Sequence, residues 1–150
     1  MSVKRILDVP GINFLWRYEN LFLGGAPSAV TLEVLNKEGI KQVFNLRSIG
    51  ESDNTGDEEF CNQNNIEYYH IPAMGIAGLD KEAASDINDK INPDEVCFVH
   101  CASGNRVAGW LITYLVTKKG MDFEAAVEIA QEAGLRTVDF IYQAEEIIES

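Results

Sequence analysis

At 150 residues with a hydrophobic content of 46%, the chain has the size of one domain (1–150) with a real core, and no apolar run reaches membrane-spanning length. A net charge of −12 argues against nucleic acid and anionic membrane as partners, because both require a basic surface. Three cysteines at irregular spacing suit a reducing compartment, and Asp8 and Pro10 stand where a leader peptide needs its apolar region, so the cytoplasm is expected.

Phe14 to Tyr18 and Leu21 to Leu23 are apolar runs separated by Glu19-Asn20, which predicts a hairpin leading into Gly24-Gly25. Ser28 caps a helix that carries Val30, Val34 and Leu35 on one face and ends at Gly39. Ile40 to Leu46 reads as a buried strand, and its exit brings Asn45, Leu46 and Arg47 to the sheet edge where α/β proteins bind ligands. Ser48 to Gly56 is polar and loop-like. A short acidic helix from about Asp57 to Asn64 precedes a strand from Ile66 to Ile71, which Pro72 terminates. Ala73 to Leu79, uncharged and with two glycines, reads as a mobile loop over the site. A helix from about Asp80 to Ile91 and a turn at Asn92-Pro93-Asp94 lead into the central strand.

The central strand and its continuation read VCFVHCASGNRVAGW, from Val96 to Trp110. Val96 to His100 is rich in β-branched and aromatic residues, as a buried strand should be. Val107, Ala108, Leu111, Ile112, Leu115 and Val116 then recur at helical spacing through Lys119, with Gly120 at the C-cap. Cys101, Ala102, Ser103 and Gly104 alone join the two. So tight a turn, with a glycine able to take positive φ, points several backbone N–H groups into one concavity at a helix N-terminus, which is an anion site. The same dipoles stabilise a thiolate at its base, so Cys101 is the candidate nucleophile. Arg106, one turn on, can clamp two oxygens of a bound phosphate. Asp122 caps a further helix from Phe123 to Ala133, Gly134 ends it, and Thr137 is expected to cap the last helix. The fold class is α/β, a mostly parallel sheet of about four to five strands with helices on both faces.

His100, Cys101, Gly104 and Arg106 resemble the signature loop of the cysteine-dependent protein tyrosine and dual-specificity phosphatases, in which His-Cys precedes a phosphate cradle closed by Arg. LFLGGAPS (Leu21 to Ser28), GIKQVFNLR (Gly39 to Arg47) and YYHIP (Tyr68 to Pro72) resemble bacterial phosphatase-like proteins often labelled beta-lactamase-hydrolase-like. The resemblance implies a dual-specificity-phosphatase-like domain acting on a phosphorylated protein or a small phosphoester through a cysteinyl-phosphate, without cofactor. It also implies an Asp as general acid on the loop after the third strand. No acid lies between Pro72 and Leu79, so Asp80 is the nearest candidate, beside its helix-capping role. Asp53 and Asp57 are further candidates.

Phosphate-binding roles are expected for Ala102, Ser103, Gly104, Asn105 and Arg47, with a salt bridge to Glu51 as the other role of Arg47. His100 is expected to orient the loop. Cys97 is expected in the core, and two histidines with three scattered cysteines have no metal-ligand spacing. The loop holds four residues between Cys101 and Arg106, one fewer than the phosphatase signature, and places Val107 where its arginine stands. That spacing is similar to the CxxGxR loop of rhodanese sulfurtransferases, which cradles a persulfide. The expected activity is therefore weak or specialised phosphomonoester hydrolysis. The alternatives are sulfur transfer and phosphoanion binding without turnover.

Overall fold

In the computed structural model, which describes residues 2–76 and 78–150, the strands are β1 (Lys4–Arg5), β2 (Leu15–Tyr18), β3 (Leu21–Gly24), β4 (Ile40–Asn45), β5 (Glu67–His70), β6 (Met74–Gly75), β7 (Gly78–Leu79) and β8 (Val96–His100). The helices are α1 (Ala29–Lys37), α2 (Thr55–Gln63), α3 (Lys81–Lys90), α4 (Asn105–Thr117), α5 (Phe123–Glu132) and α6 (Asp139–Glu149). One six-stranded sheet runs in the order β1-β2-β3-β8-β4-β5. β3, β8, β4 and β5 are parallel neighbours, and the β2–β3 hairpin and β1 extend the sheet in antiparallel fashion. The four parallel strands and β2 are the expected sheet. β1 adds an edge of two residues, too short to show a period in the sequence.

Apolar side chains leave both faces of this sheet, so each face needs a helical cover. Phe22, Val43 and Phe98 meet Leu32 and Leu35 of α1 and Cys61 of α2 on one side. Leu23, Phe44, Cys97 and Val99 meet α3, α4, α5 and α6 on the other. The period of two along β8 thus sends Phe98 and His100 to the α1 side, and Cys97 and Cys101 to the α4 side. α4 is buried along almost its whole length, from Val107 to Leu115, because it runs between the sheet and the outer helices. The buried Gln42 side chain closes the turn into β8: it accepts the Asn92 N–H at 2.8 Å and donates to the Lys90 carbonyl at 3.0 Å.

Two local expectations change. Part of Ala73 to Leu79 is ordered as the β6–β7 hairpin, with Met74 opposite Leu79, and the Gln143 side chain of α6 accepts the Leu79 N–H at 2.9 Å. Ala77 of that stretch lies outside the described residues. α6 begins at Asp139 with Val138 at its N-cap, because Thr137 is engaged elsewhere.

Parallel pairing aligns the C-terminal ends of three strands, Gly24 and Asn45 both standing opposite His100. The loop after β8 therefore leaves the sheet where its neighbours also end, and two glycines let it fit there. A Cβ on Gly25 would lie 2.7 Å from the Ala102 carbonyl oxygen. Gly104, at φ 88°, turns the chain into α4 directly against the Trp16 ring, 2.8 Å from where its own Cβ would stand. Gly104→Ala is expected to cost about 1–2 kcal/mol for the left-handed backbone and more for displacing Trp16. Gly50→Ala, at φ 81° with nothing within 4 Å of the added carbon, isolates the backbone part. Denaturant unfolding checks both, and equal losses would count against the Trp16 contact.

Candidate active site

Cys101 leaves the end of β8 on the α4 side and has no exposed surface. Its N–H donates to the Gly24 carbonyl at 3.1 Å, and the His100 carbonyl accepts the Leu46 N–H at 2.8 Å, so the chain enters the loop held between β3 and β4. The Ala102 carbonyl then turns outward to the Ala26 N–H at 3.0 Å. A trans peptide sets its N–H opposite its C=O, so the Ser103 N–H faces inward. The Ser103 carbonyl also turns outward, towards Arg136 Nη2 at 3.4 Å, and the next amide, Gly104 N–H, donates to Cys101 Sγ at 3.2 Å. The first N–H groups of α4 have no carbonyl one turn back to bond. The Gly104 amide thus reaches the sulfur at the N-terminus of α4, an arrangement that suits an anion or thiolate.

Main chain, rather than side chains, forms this cradle. Asn105, expected among the phosphate-binding residues, turns its amide to the α5–α6 loop, accepting the Arg136 N–H at 2.9 Å and the Thr137 N–H at 3.3 Å and donating to Thr137 Oγ1 at 2.5 Å. Ser103 Oγ bonds Arg136 Nη2 at 2.8 Å. Ala102, Ser103, Gly104 and Asn105 can reach an anion only through their amides.

Arg106 stands in the first turn of α4 with its Nη1 and Nη2 on Glu51 Oε1 and Oε2, at 2.8 and 2.7 Å. This fork holds the Glu51 carboxyl down at about 2 and raises the Arg106 pKa, to which proximity to the Cys101 sulfur adds. The shortened loop thus leaves Arg106 beside the thiol. Glu51, expected opposite Arg47, pairs with Arg106 instead. Arg47 is buried and its Nη2 meets Asp57 Oδ2 at 2.8 Å, while its Nε and its own N–H both donate to Asn45 Oδ1, at 3.0 and 3.1 Å. Arg47 Nε and Nη2 are thus held by Asn45 and Asp57 at the end of β4.

The expected acids are also engaged. Asp80 Oδ1 accepts the Glu82 N–H at 3.0 Å as the N-cap of α3, the capping role also expected of it. Asp53 Oδ1 accepts the Thr55 N–H at 3.0 Å. Asp57 pairs with Arg47, yet burial outweighs that partner and raises its carboxyl pKa.

His100 is fully buried against the Phe98 ring, with centroids 4.9 Å apart, and neither imidazole nitrogen has a hydrogen-bond partner among the described residues. The ring packs on the α1 side, and the His100 carbonyl holds the loop to β4. Burial first, then Arg47, pushes its pKa down to about 3. Cys97 is in the core as expected, and burial pushes the thiols of Cys61 and Cys97 up to about 12. Glu51, Arg136 and Trp16 belong to the site although sequence reasoning does not place them there. Of the three only Glu51 carries a signal, as an acid near an arginine on the loop after a strand.

The solved structures similar to this chain have the same architecture. A candidate phosphatase of the DUF442 group from Shewanella putrefaciens CN-32 is 16% identical, with a TM-score of 0.73 over 93% of this chain and 93% of that one. TpbA of Pseudomonas aeruginosa is 20% identical, with a TM-score of 0.71 over 99% of this chain and 89% of its own; a cysteine-to-serine form of it has been solved with phosphotyrosine. The core catalytic domain of the S. cerevisiae PP-IP phosphatase SIW14, solved with citrate, is 13% identical, with a TM-score of 0.71 over 92% of this chain and 87% of its own. These neighbours are members of the cysteine-based tyrosine and dual-specificity phosphatase superfamily, and the chain has their fold. No protein-family model and no curated protein matches the chain at a significant level.

Two measurements check the site. Iodoacetamide is expected to modify Cys101 before Cys61 and Cys97 at neutral pH, because only its sulfur receives an N–H from a loop at a helix N-terminus. Peptide mapping gives the order, and prior labelling of either other thiol contradicts the assignment. For His100, the unfolded chain takes up a proton near the ordinary value of 6.5 and the folded chain only near 3. Stability from this group is therefore complete above 6.5 and falls as pH drops from 6.5 towards 3. Unfolding free energy followed across that range should slope downward with acid, and the slope should flatten in His100→Leu.

Proposed function

We propose that this chain is a cysteine-based phosphomonoesterase in which Cys101 attacks the phosphorus of a bound phosphoester and forms a cysteinyl-phosphate that water then hydrolyses. The observation that carries this reading is the Gly104 N–H directed at Cys101 Sγ, with Arg106 alongside. A sulfur so placed is nucleophilic, and the free N–H groups around it suit the equatorial oxygens of a transferring phosphoryl group. Arg106 presents its Nη1/Nη2 edge to Glu51, which leaves its Nε edge for the anion. The phosphatase fold of the structural neighbours supports the same reading.

Since Asp53, Asp57 and Asp80 are all engaged, no general acid is assigned from them. Turnover is then carried by substrates whose leaving group departs without a proton, and the weak, specialised activity expected from the sequence is aryl-phosphate hydrolysis with steep dependence on the leaving group. The sulfurtransferase reading rests on one observation, the short Cys101-to-Arg106 loop.

p-Nitrophenyl phosphate is expected to be hydrolysed far faster than phenyl phosphate, with vanadate competing for the cradle. Cys101→Ser should abolish turnover, and Arg106→Met should lower it by about a hundred- to a thousand-fold, the typical cost of losing a preorganised donor. Thiosulfate-to-cyanide transfer without phosphate hydrolysis would replace this reading with sulfur transfer. Vanadate binding without either activity would leave an anion-binding module.

A further inference from the structure

Among the described residues, Arg136 is the one long cationic side chain that grips the cradle from outside. It lies in the α5–α6 connection, and its contacts form a single construction. Nη1 donates to the Gly134 carbonyl at 3.1 Å, and Nη2 reaches Ser103 Oγ at 2.8 Å and the Ser103 carbonyl at 3.4 Å. Its guanidinium sits over the Phe14 ring, 5.4 Å from the centroid, and Phe14 stacks on Trp16 at 6.3 Å. Trp16 in turn packs under both Gly104 and Gly134: a Cβ would meet its ring at 2.8 Å from the first and 2.4 Å from the second. The Arg136 N–H donates to Asn105 Oδ1, so the connection is tied to α4 as well. A surface arginine placed without purpose would leave most of its donors to water. Here a guanidinium, an aromatic pair and two glycines are layered against the outer wall of one peptide.

We infer that Arg136 is a positioning residue for Cys101, acting through the Ser103–Gly104 peptide. This rests on the reading of Cys101 as the nucleophile. The peptide's carbonyl is drawn outward by Arg136, and because the unit is planar and trans its N–H must point inward, where it donates to Sγ. Freed from that grip, the plane can rotate, and the sulfur loses the donor that favours its charged form. Ala26 does the same for the Ala102–Ser103 peptide, but with a backbone donor fixed by the fold. Arg136 is the part of the wall supplied by a side chain.

Of the other charged or titratable groups, Arg106, paired with Glu51 from the loop after β4, lies beside the Cys101 sulfur, while the Arg47–Asp57 pair and His100 with His70 lie at the ends of the parallel strands. All of these remain in the variants used to test the inference. Arg136→Met keeps an aliphatic stem over Phe14 and removes the guanidinium. Ser103→Ala removes the 2.8 Å arm of the grip and leaves every charge in place, so any effect it has is not loss of a nearby cation.

Thiolate formation is followed by ultraviolet absorbance against pH, with the matching Cys101→Ser background subtracted, after a thermal melt confirms folding. The Cys101 midpoint should rise by about one pH unit in Arg136→Met, a tenfold loss of thiolate below the midpoint, and in the same direction by a smaller step in Ser103→Ala. Arg136→Lys, which keeps the charge without the fork, should restore only part of the shift. An unmoved midpoint in folded Ser103→Ala overturns the inference, as does a shift in Arg136→Met that vanishes at high salt. Should Arg136→Met fail to fold, Ser103→Ala decides alone. Absence of aryl-phosphate turnover in the unaltered protein overturns the proposed function and leaves this titration intact, so the two failures are distinct.

Discussion

A peptide unit cannot turn its carbonyl outward without turning its N–H inward, and the loop after β8 uses that constraint twice in succession. Ala26 and Arg136 take the Ala102 and Ser103 carbonyls, and the Ser103 and Gly104 amides face the interior of the turn as a result. The inward direction of these two amides goes with those outward bonds. They exist because β3 pairs in parallel beside β8, which brings Gly25 and Ala26 against the loop, and because α5 and α6 fold back over α4 to deliver Arg136. The turn around Cys101 is thus lined by backbone, and the side chains of Ser103 and Asn105 serve as its fastenings.

Charge is arranged with the same economy. Arg106 and Arg47 each have a dedicated carboxylate, Glu51 and Asp57, supplied from the segment after β4. The two pairs differ in burial. Arg47–Asp57 is nearly enclosed and also bonded to Asn45, so it braces the end of β4. Arg106–Glu51 is more open, and its arginine lies beside the sulfur. A buried pair holds structure because breaking it strands a charge, whereas an open pair can exchange one partner for another anion. Asp53, Asp57 and Asp80 each have one carboxylate oxygen in a turn, an ion pair or a cap.

The parallel strands and the helices were legible because their signals are local: alternating or continuous apolar runs, Ser28 and Asp80 at helix starts, Gly39 and Gly120 at helix ends. The strand–loop–helix junction at Cys101 was legible for the same reason, since its chemistry sits within six consecutive residues. What escaped was long-range. β1 is too short to show a period. The partner of Arg106 lies 55 residues away, and that of Ser103 lies 33 away. No spacing rule connects such positions; only the folding of α5 and α6 over α4 does. Thr137 shows the opposite failure, a good capping residue by type whose hydroxyl is taken by Asn105.

The Arg106–Glu51 pair also governs how an anion first meets the protein. With a net charge of −12 and Arg106 already paired to Glu51, the molecule's net field does not attract an approaching anion. Encounter is then unsteered, and capture begins only within contact range of the inward amides, where dipoles rather than net charge act. Such a site selects by fit after collision. Raising ionic strength, which slows association wherever opposite charges guide it, should leave the rate of anion entry here unchanged or faster.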